Sequence, residues 1–103
     1  NDTLAGLYQV VEGRKGTRKK VYLFEKGLDK ILKKCGEECA EMIIAAKNSD
    51  NEELANEICD LLYHMLVLMA ERGLPLERVE AILEERRQKI GNLKQFHQTD
   101  HNT

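Results

Sequence analysis

Between Glu52 and Arg72 the chain carries Leu54, Ile58, Leu61, Leu62, Met65, Leu66, Leu68 and Met69, with Tyr63, Val67 and Ala70 between them. At roughly 100° per residue these side chains cover well over half the circumference of a helix. A helix apolar almost all round has to be buried. The whole chain is 103 residues, enough for one domain with one modest core and too little to surround such a helix alone. The expectation is therefore an all-α protomer whose subunits share a helical core, most simply a two-fold homodimer, otherwise a larger homo-oligomer. The same run has a single polar band. Glu53, Glu57, Asp60, His64 and Glu71 fall within about 60° of one another at the helical repeat.

The remaining segments follow the same period. Leu4, Leu7, Val10 and Val11 recur at three and four after Asp2-Thr3, a pair suited to capping a short first helix. Gly13 and Gly16 break it within the basic stretch "GRKGTRKK". A second helix is expected from about Leu23 to Lys47, its apolar stripe formed by Leu28, Ile31, Leu32, Cys35, Cys39, Met42, Ile43 and Ala46. "NSDNEE" at 48–53 is a turn with its own capping residues. In "RGLPLERV", Gly73 suits a helix end and Pro75 the first turn of the next helix, whose inner face is Leu76, Val79, Ile82, Leu83 and Ile90. This makes a four-to-five-helix bundle-like protomer, with residues 1–90 as the domain. "GNLKQFHQTDHNT", residues 91–103, shows no period and is expected to be a frayed tail.

The net charge of −2 conceals an asymmetry. From Arg14 to Lys34 there are nine Lys or Arg and two acids; the rest of the chain holds seven basic residues against sixteen acids. No stacking aromatics or zinc-ligand spacing accompany the basic segment, which argues against nucleic acid and for a small phosphorylated ligand. Cys35, Cys39 and Cys59 are odd in number and sit in apolar helical runs, so they read as reduced core thiols. With no signal-peptide pattern and no apolar run of about 18 residues, the expected compartment is the cytoplasm, with no membrane partner.

The acids are unusual in clustering by like sign. Glu38 and Glu41 are three apart in "GEECAE", and Glu57 and Asp60 are three apart in "EICD". That spacing puts each pair on one helical face. A short turn makes the two helices antiparallel neighbours, so the pairs can face each other. Four carboxylates in one cleft repel unless a cation lies between them. Oxygen donors with no Cys or His select a hard ion, Mg²⁺ or Mn²⁺. A di-iron centre would need Glu-x-x-His on each of two helices, and His64 instead follows Asp60 by four.

Glu37-Glu38-Cys39-Ala40-Glu41 followed by Glu57-Ile58-Cys59-Asp60 matches the E-E-x-x-E … E-x-x-D signature of the all-α, MazG-like nucleotide pyrophosphatases. The longer strings "KGLDKILKKCGEE" and "DLLYHMLVLMAERG" resemble, more narrowly, the phosphoribosyl-ATP pyrophosphatases of histidine biosynthesis, over about Leu4 to Glu85. The resemblance implies Mg²⁺-dependent hydrolysis of phosphoribosyl-ATP to phosphoribosyl-AMP and pyrophosphate. It implies metal ligands at Glu38, Glu41, Glu57 and Asp60, with Glu37 orienting or deprotonating the attacking water. Lys30 and Lys34, on the polar side of the Glu38 helix, are candidates for phosphate, and His64 for a hydrogen bond that holds a ligand. Where the family carries a Ser-Tyr-Thr stretch this chain reads "RKKVY", which makes Lys19 and Lys20 the substrate candidates there. His97 and His101 have no assigned role. Two other readings stand beside this one: a housekeeping nucleoside-triphosphate pyrophosphatase with the same metal residues, and a non-catalytic helical dimerisation module.

Overall fold

The computed structural model describes residues 2–15 and 22–96. Five helices account for nearly all of them: α1 (Asp2–Arg14), α2 (Tyr22–Lys26), α3 (Leu28–Lys47), α4 (Asn51–Arg72) and α5 (Leu76–Phe96). There is no strand among the described residues, so the all-α expectation holds. Lys19 and Lys20 lie outside the described residues, as does everything beyond Phe96.

Four boundaries differ from the periodic reading. The helix expected from Leu23 to Lys47 is two helices, α2 and α3, divided at Gly27 (φ 88°, ψ −178°). That backbone region is essentially closed to any residue with a Cβ, so the break is written in the glycine rather than in the apolar period. Gly13 does not end α1, which runs to Arg14, and Asp2 and Thr3 lie within its first turn rather than ahead of it. Gly91 does not end α5 either. The helix continues six residues past the expected boundary, to Phe96, because one glycine costs a helix only about 1 kcal/mol and no proline follows it.

The caps of α4 follow the sequence closely. Asp50 accepts hydrogen bonds from the backbone N–H of Glu52 (3.0 Å) and Glu53 (3.2 Å) at the N-terminus. At the other end Gly73 adopts the left-handed conformation (φ 67°), and the Leu74 N–H donates to the Met69 carbonyl at 2.8 Å. This is a Schellman-type stop. The three-residue turn between α3 and α4 makes them antiparallel, and their contact is the largest among the described helices.

The core gathers at the Gly73 end of that hairpin: Tyr8 and Val11 of α1, Leu23 of α2, Ile31 of α3, Leu66, Val67, Met69 and Ala70 of α4, and Leu76 of α5. Ile31 and Val67 are 0% exposed. Two side chains, Tyr8 of α1 and Lys15 just after it, brace the end of α4. The Tyr8 hydroxyl donates to the Leu74 carbonyl (2.8 Å), and the Lys15 ammonium donates to the carbonyls of Ala70 (2.9 Å) and Glu71 (3.0 Å). A cation on the last carbonyls of a helix meets both their free lone pairs and the negative end of its dipole. Lys15, which reads in the sequence as part of a basic ligand loop, is thus a structural cap.

One chain does not bury α4 on all sides. Ile58, Leu62 and Met65 form an exposed stripe between the faces covered by α1 and α3. The three cysteines are free, and only Cys35 is half-buried; Cys39 and Cys59 are exposed rather than core residues.

Candidate active site

The opposite half of the hairpin, toward its turn, holds the acids. One carboxylate oxygen from each of Glu38, Glu41 and Glu57 lies within 4.8 Å of the other two. Glu38 is buried (7% exposed), Glu57 half-buried and Glu41 exposed, so the cluster spans the seam from its dry floor to solvent. Helical spacing explains the convergence: Glu38 and Glu41 are one turn apart on α3, and Glu57 meets them across the antiparallel seam.

Two atoms define the electrostatics. Oε2 of Glu38 and Oε2 of Glu57 are sealed from solvent and have no hydrogen-bond partner. Buried carboxylate oxygens in native proteins are nearly always paired, because an unpaired one keeps the desolvation penalty with nothing to offset it. Desolvation first, and then the charges of Glu41, Asp60, Glu38 and Glu53, hold the Glu57 carboxyl above its ordinary range. The arrangement is one that a cation would relieve.

The one described cation within ion-pair distance of the cluster is Lys34, and it is already engaged. Its Nζ lies 3.3 Å from Oε1 of Glu37 and 3.6 Å from Oε1 of Glu38. The hydrogen bond to Glu37 raises the Lys34 pKa, with the charges of Glu37, Glu38 and Glu41 adding to it and desolvation opposing. Glu37 is exposed and points its carboxylate to the same ammonium. Lys30, one turn earlier and half-buried, makes no hydrogen bond or ion pair among the described residues.

Asp60 is placed differently from the other three acids. It is exposed and lies outside the converging group, although its charge still acts on Glu57. His64 contacts the backbone of Asp60 rather than its carboxylate: Nδ1 lies 2.8 Å from the Asp60 carbonyl. A carbonyl only accepts, so Nδ1 carries the proton and Nε2 is the free ring nitrogen. The His64 carbonyl in turn accepts from the Cys35 thiol of α3 at 3.5 Å, and the imidazole stands edge-on to Tyr63. His64 therefore braces the α3–α4 seam beside the acids. Cys35, whose thiol burial pushes up, is a site neighbour that sequence reasoning places only in the apolar stripe. Its hydrogen bond depends on the register between two helices, which no single-helix pattern contains.

No described helix is long and apolar enough to cross a membrane.

This geometry can be set beside known proteins. The family model described as phosphoribosyl-ATP pyrophosphohydrolase matches residues 4–87. A phosphoribosyl-ATP pyrophosphatase of Clostridium botulinum (strain Kyoto) is 52% identical over 103 aligned residues, covering 96% of this chain and 94% of that protein. One from Streptococcus sanguinis is 48% identical, covering 95% of this chain and 98% of its own. The histidine biosynthesis bifunctional protein HisIE of Halalkalibacterium halodurans is 66% identical over 65 residues, 63% of this chain and 31% of that longer protein. With a match this extensive, taking in all four paired acids and both helices that carry them, the chain belongs to the phosphoribosyl-ATP pyrophosphohydrolase family.

Proposed function

We propose that this chain hydrolyses phosphoribosyl-ATP to phosphoribosyl-AMP and pyrophosphate, the second step of histidine biosynthesis, in the cytoplasm and with Mg²⁺ as its ion. The observation that carries the metal reading is the pair of sealed, unpartnered oxygens on Glu38 and Glu57, beside Glu41 within 4.8 Å. An all-oxygen donor set fits Mg²⁺, with Mn²⁺ as its substitute, and disfavours softer metals. When bound, such an ion neutralises the triphosphate and the leaving pyrophosphate.

The chain's own residues do the rest. Glu38, Glu41 and Glu57 hold the ion, and Asp60, exposed one turn beyond Glu57, is the fourth ligand candidate from the open side. Glu37 orients and deprotonates the attacking water, while Lys34 holds Glu37 and Glu38 in register until phosphate oxygens compete for its ammonium. Lys30 has its donors available for those oxygens. His64 fixes the Asp60 backbone, and through it the angle at which that carboxylate is offered. Hydrolysis of the α–β anhydride by that water gives phosphoribosyl-AMP and releases pyrophosphate.

Selectivity belongs to the basic segment. Phosphoribosyl-ATP carries a ribose phosphate on its adenine ring, a second anion that ATP lacks, and Lys19 and Lys20 are the residues we assign to it. Each charge-assisted contact of this kind contributes on the order of 1.5–3 kcal/mol, so two give about 10²-fold discrimination or more. The subunits share a helical core through the exposed Ile58, Leu62 and Met65 stripe of α4.

The test is pyrophosphate release from phosphoribosyl-ATP, ATP and dUTP side by side. We expect kcat/KM for phosphoribosyl-ATP to exceed the others by at least about 10²-fold, and the Lys19→Ala/Lys20→Ala double variant to erode that margin selectively. Equal turnover of all three substrates would give the chain a housekeeping role instead. No turnover of any with Mg²⁺ present would leave a non-catalytic helical module.

A further inference from the structure

Lys34 stands where two uses of one carboxylate meet. Its Nζ lies 3.6 Å from Oε1 of Glu38 and 3.3 Å from Oε1 of Glu37, while Oε2 of Glu38 is sealed and has no partner. Glu38 thus belongs to the acidic cluster and is also the ion-pair partner of an ammonium. Helical spacing accounts for the overlap, since residues 34, 37, 38 and 41 fall within about 100° of one another on α3. The hydrogen bond to Glu37 keeps the proton on Lys34 against desolvation, and the charges of Glu37, Glu38 and Glu41 add to it. The side chain is therefore a cation in the field of the same acids that converge on Glu57.

Two cations that share a carboxylate repel. An ion held by Glu38 shares it with Lys34, and each raises the free energy of the other. Water screens part of this repulsion at the partly exposed ammonium, but Glu38 itself is buried. A phosphate chain reverses the sign. It offers Lys34 anionic oxygens in place of those of Glu37 and Glu38, and an ammonium on a flexible stem can follow them. Among the described residues no second cation can take this part: Lys30, one turn earlier, makes no hydrogen bond or ion pair.

We infer that Lys34 is a positioning residue that couples the ion to the nucleotide. It weakens the hold of Glu38 on a bare divalent ion, and it gives Glu38 up when a polyphosphate chain takes its ammonium. This rests on the acids holding a divalent ion and deepens that reading by naming how the site is regulated. The consequence is a choice of ligand class. The site favours the metal complex of a nucleoside polyphosphate over the free metal, because only the complex brings the anion that satisfies Lys34. By linkage the ion and the nucleotide tighten each other by one factor, and Lys34 carries part of it. Glu37 gains from the same exchange, since its exposed carboxylate is released toward water. An ammonium that only held Glu38 in place for the ion would act with the opposite sign, its loss weakening the metal.

That sign is read with Mn²⁺ as the probe and no nucleotide, by following the free-ion electron paramagnetic resonance signal as the full chain is titrated. Lys34→Met keeps the stem and removes the charge, and should bind Mn²⁺ on the order of 10-fold more tightly than wild type. Lys34→Arg keeps the charge and should stay within about threefold of wild type, as should Lys30→Met. Calorimetry with α,β-methylene-ATP, whose α–β bridge resists cleavage, reads the other side of the linkage, without and with saturating Mn²⁺. The tightening that Mn²⁺ gives this probe should be on the order of 10-fold smaller in Lys34→Met than in wild type. Far-UV circular dichroism checks the fold, and Lys34→Gln serves if Lys34→Met unfolds. Equal or weaker Mn²⁺ binding by Lys34→Met, with binding still lost in Glu57→Gln, overturns the inference and leaves the metal site standing. A like gain in Lys30→Met would make the effect one of overall charge and overturns it too. Mn²⁺ binding that Glu57→Gln leaves untouched, or none by wild type, overturns the metal reading and the inference with it.

Discussion

Near Gly73 the α3–α4 hairpin closes over Ile31 and Val67 until neither has any exposure, while nearer the Asn48–Asp50 turn the same two helices press Glu38, Glu41 and Glu57 together. One half is an apolar core braced by Tyr8 of α1 and by Lys15 just after it; the other is a set of like charges with two sealed, unpaired oxygens. The contrast shows how a small bundle divides its work. The packed half supplies the stability that lets the acidic half carry its mutual repulsion. Substitutions should therefore separate cleanly, those at the acids changing activity and those at the core changing stability.

The largest expected effect is at the acids. Glu38→Gln should lower kcat/KM for phosphoribosyl-ATP on the order of 10³-fold, about 4 kcal/mol of transition-state stabilisation, since it removes the buried carboxylate that we propose holds the ion. Its melting temperature without Mg²⁺ should equal or exceed that of wild type, because one repelling charge is gone. Near-normal turnover at saturating Mg²⁺ would remove Glu38 from the ligand set.

Ile31→Ala is the mirror image. It opens a cavity at a fully buried position and should cost about 3 kcal/mol, with Tm falling by more than 10 °C for a domain of this size. Turnover per folded molecule, measured well below the transition, should change less than about threefold, far less than one core deletion's worth of energy. Loss of activity in proportion to stability would mean the two halves are not separable.

Smaller effects test the braces. Lys15→Ala removes a cation from the last carbonyls of α4, and Gly27→Ala forces a Cβ into a backbone region reserved for glycine. Each should lower stability by about 1–2 kcal/mol without moving KM for the substrate. A rise in KM for Lys15→Ala would return that residue to the ligand loop.

The smallest effect is the pH dependence of the metal-free protein. The folded-state pKa of Glu57 is raised, so the folded state binds its proton more readily than the unfolded state does. The penalty is present above the raised pKa and is relieved as pH falls through it toward the ordinary carboxylate value. We expect the excess stability of Glu57→Gln over wild type, without metal, to shrink on acidification through that window. With Mg²⁺ present wild type should instead weaken, because protons displace the ion. A stability difference independent of pH would show that Glu57 is not under strain.

Much of the fold is legible in the sequence because it depends on local signals. The apolar period locates the helices, and Asp50 and Gly73 mark the ends of α4 by capping chemistry. Glu38 and Glu57 are legible as a pair from spacing and the antiparallel turn. What is not legible depends on register and distance along the chain. Gly27 divides a continuous apolar period through its backbone alone, and the residue-level pattern of α5 gives no sign that its stripe outruns the core. Lys15 looks like its basic neighbours, and its role follows only from where α4 happens to end. Asp60 shares a helical face with Glu57, yet one turn of displacement along the seam carries it from the converging cluster to solvent.

The most direct measurement is thermal unfolding of wild type, Glu57→Gln and Ile31→Ala across a Mg²⁺ titration, with no substrate present. A site held by Glu38, Glu41 and Glu57 stabilises the folded state by about RT ln(1 + [Mg²⁺]/Kd). We expect the Tm of wild type and of Ile31→Ala to climb together with log[Mg²⁺], from different starting points, and that of Glu57→Gln to stay nearly flat. Equal slopes for all three proteins, or no slope in wild type, would contradict a cation site at the sealed carboxylates.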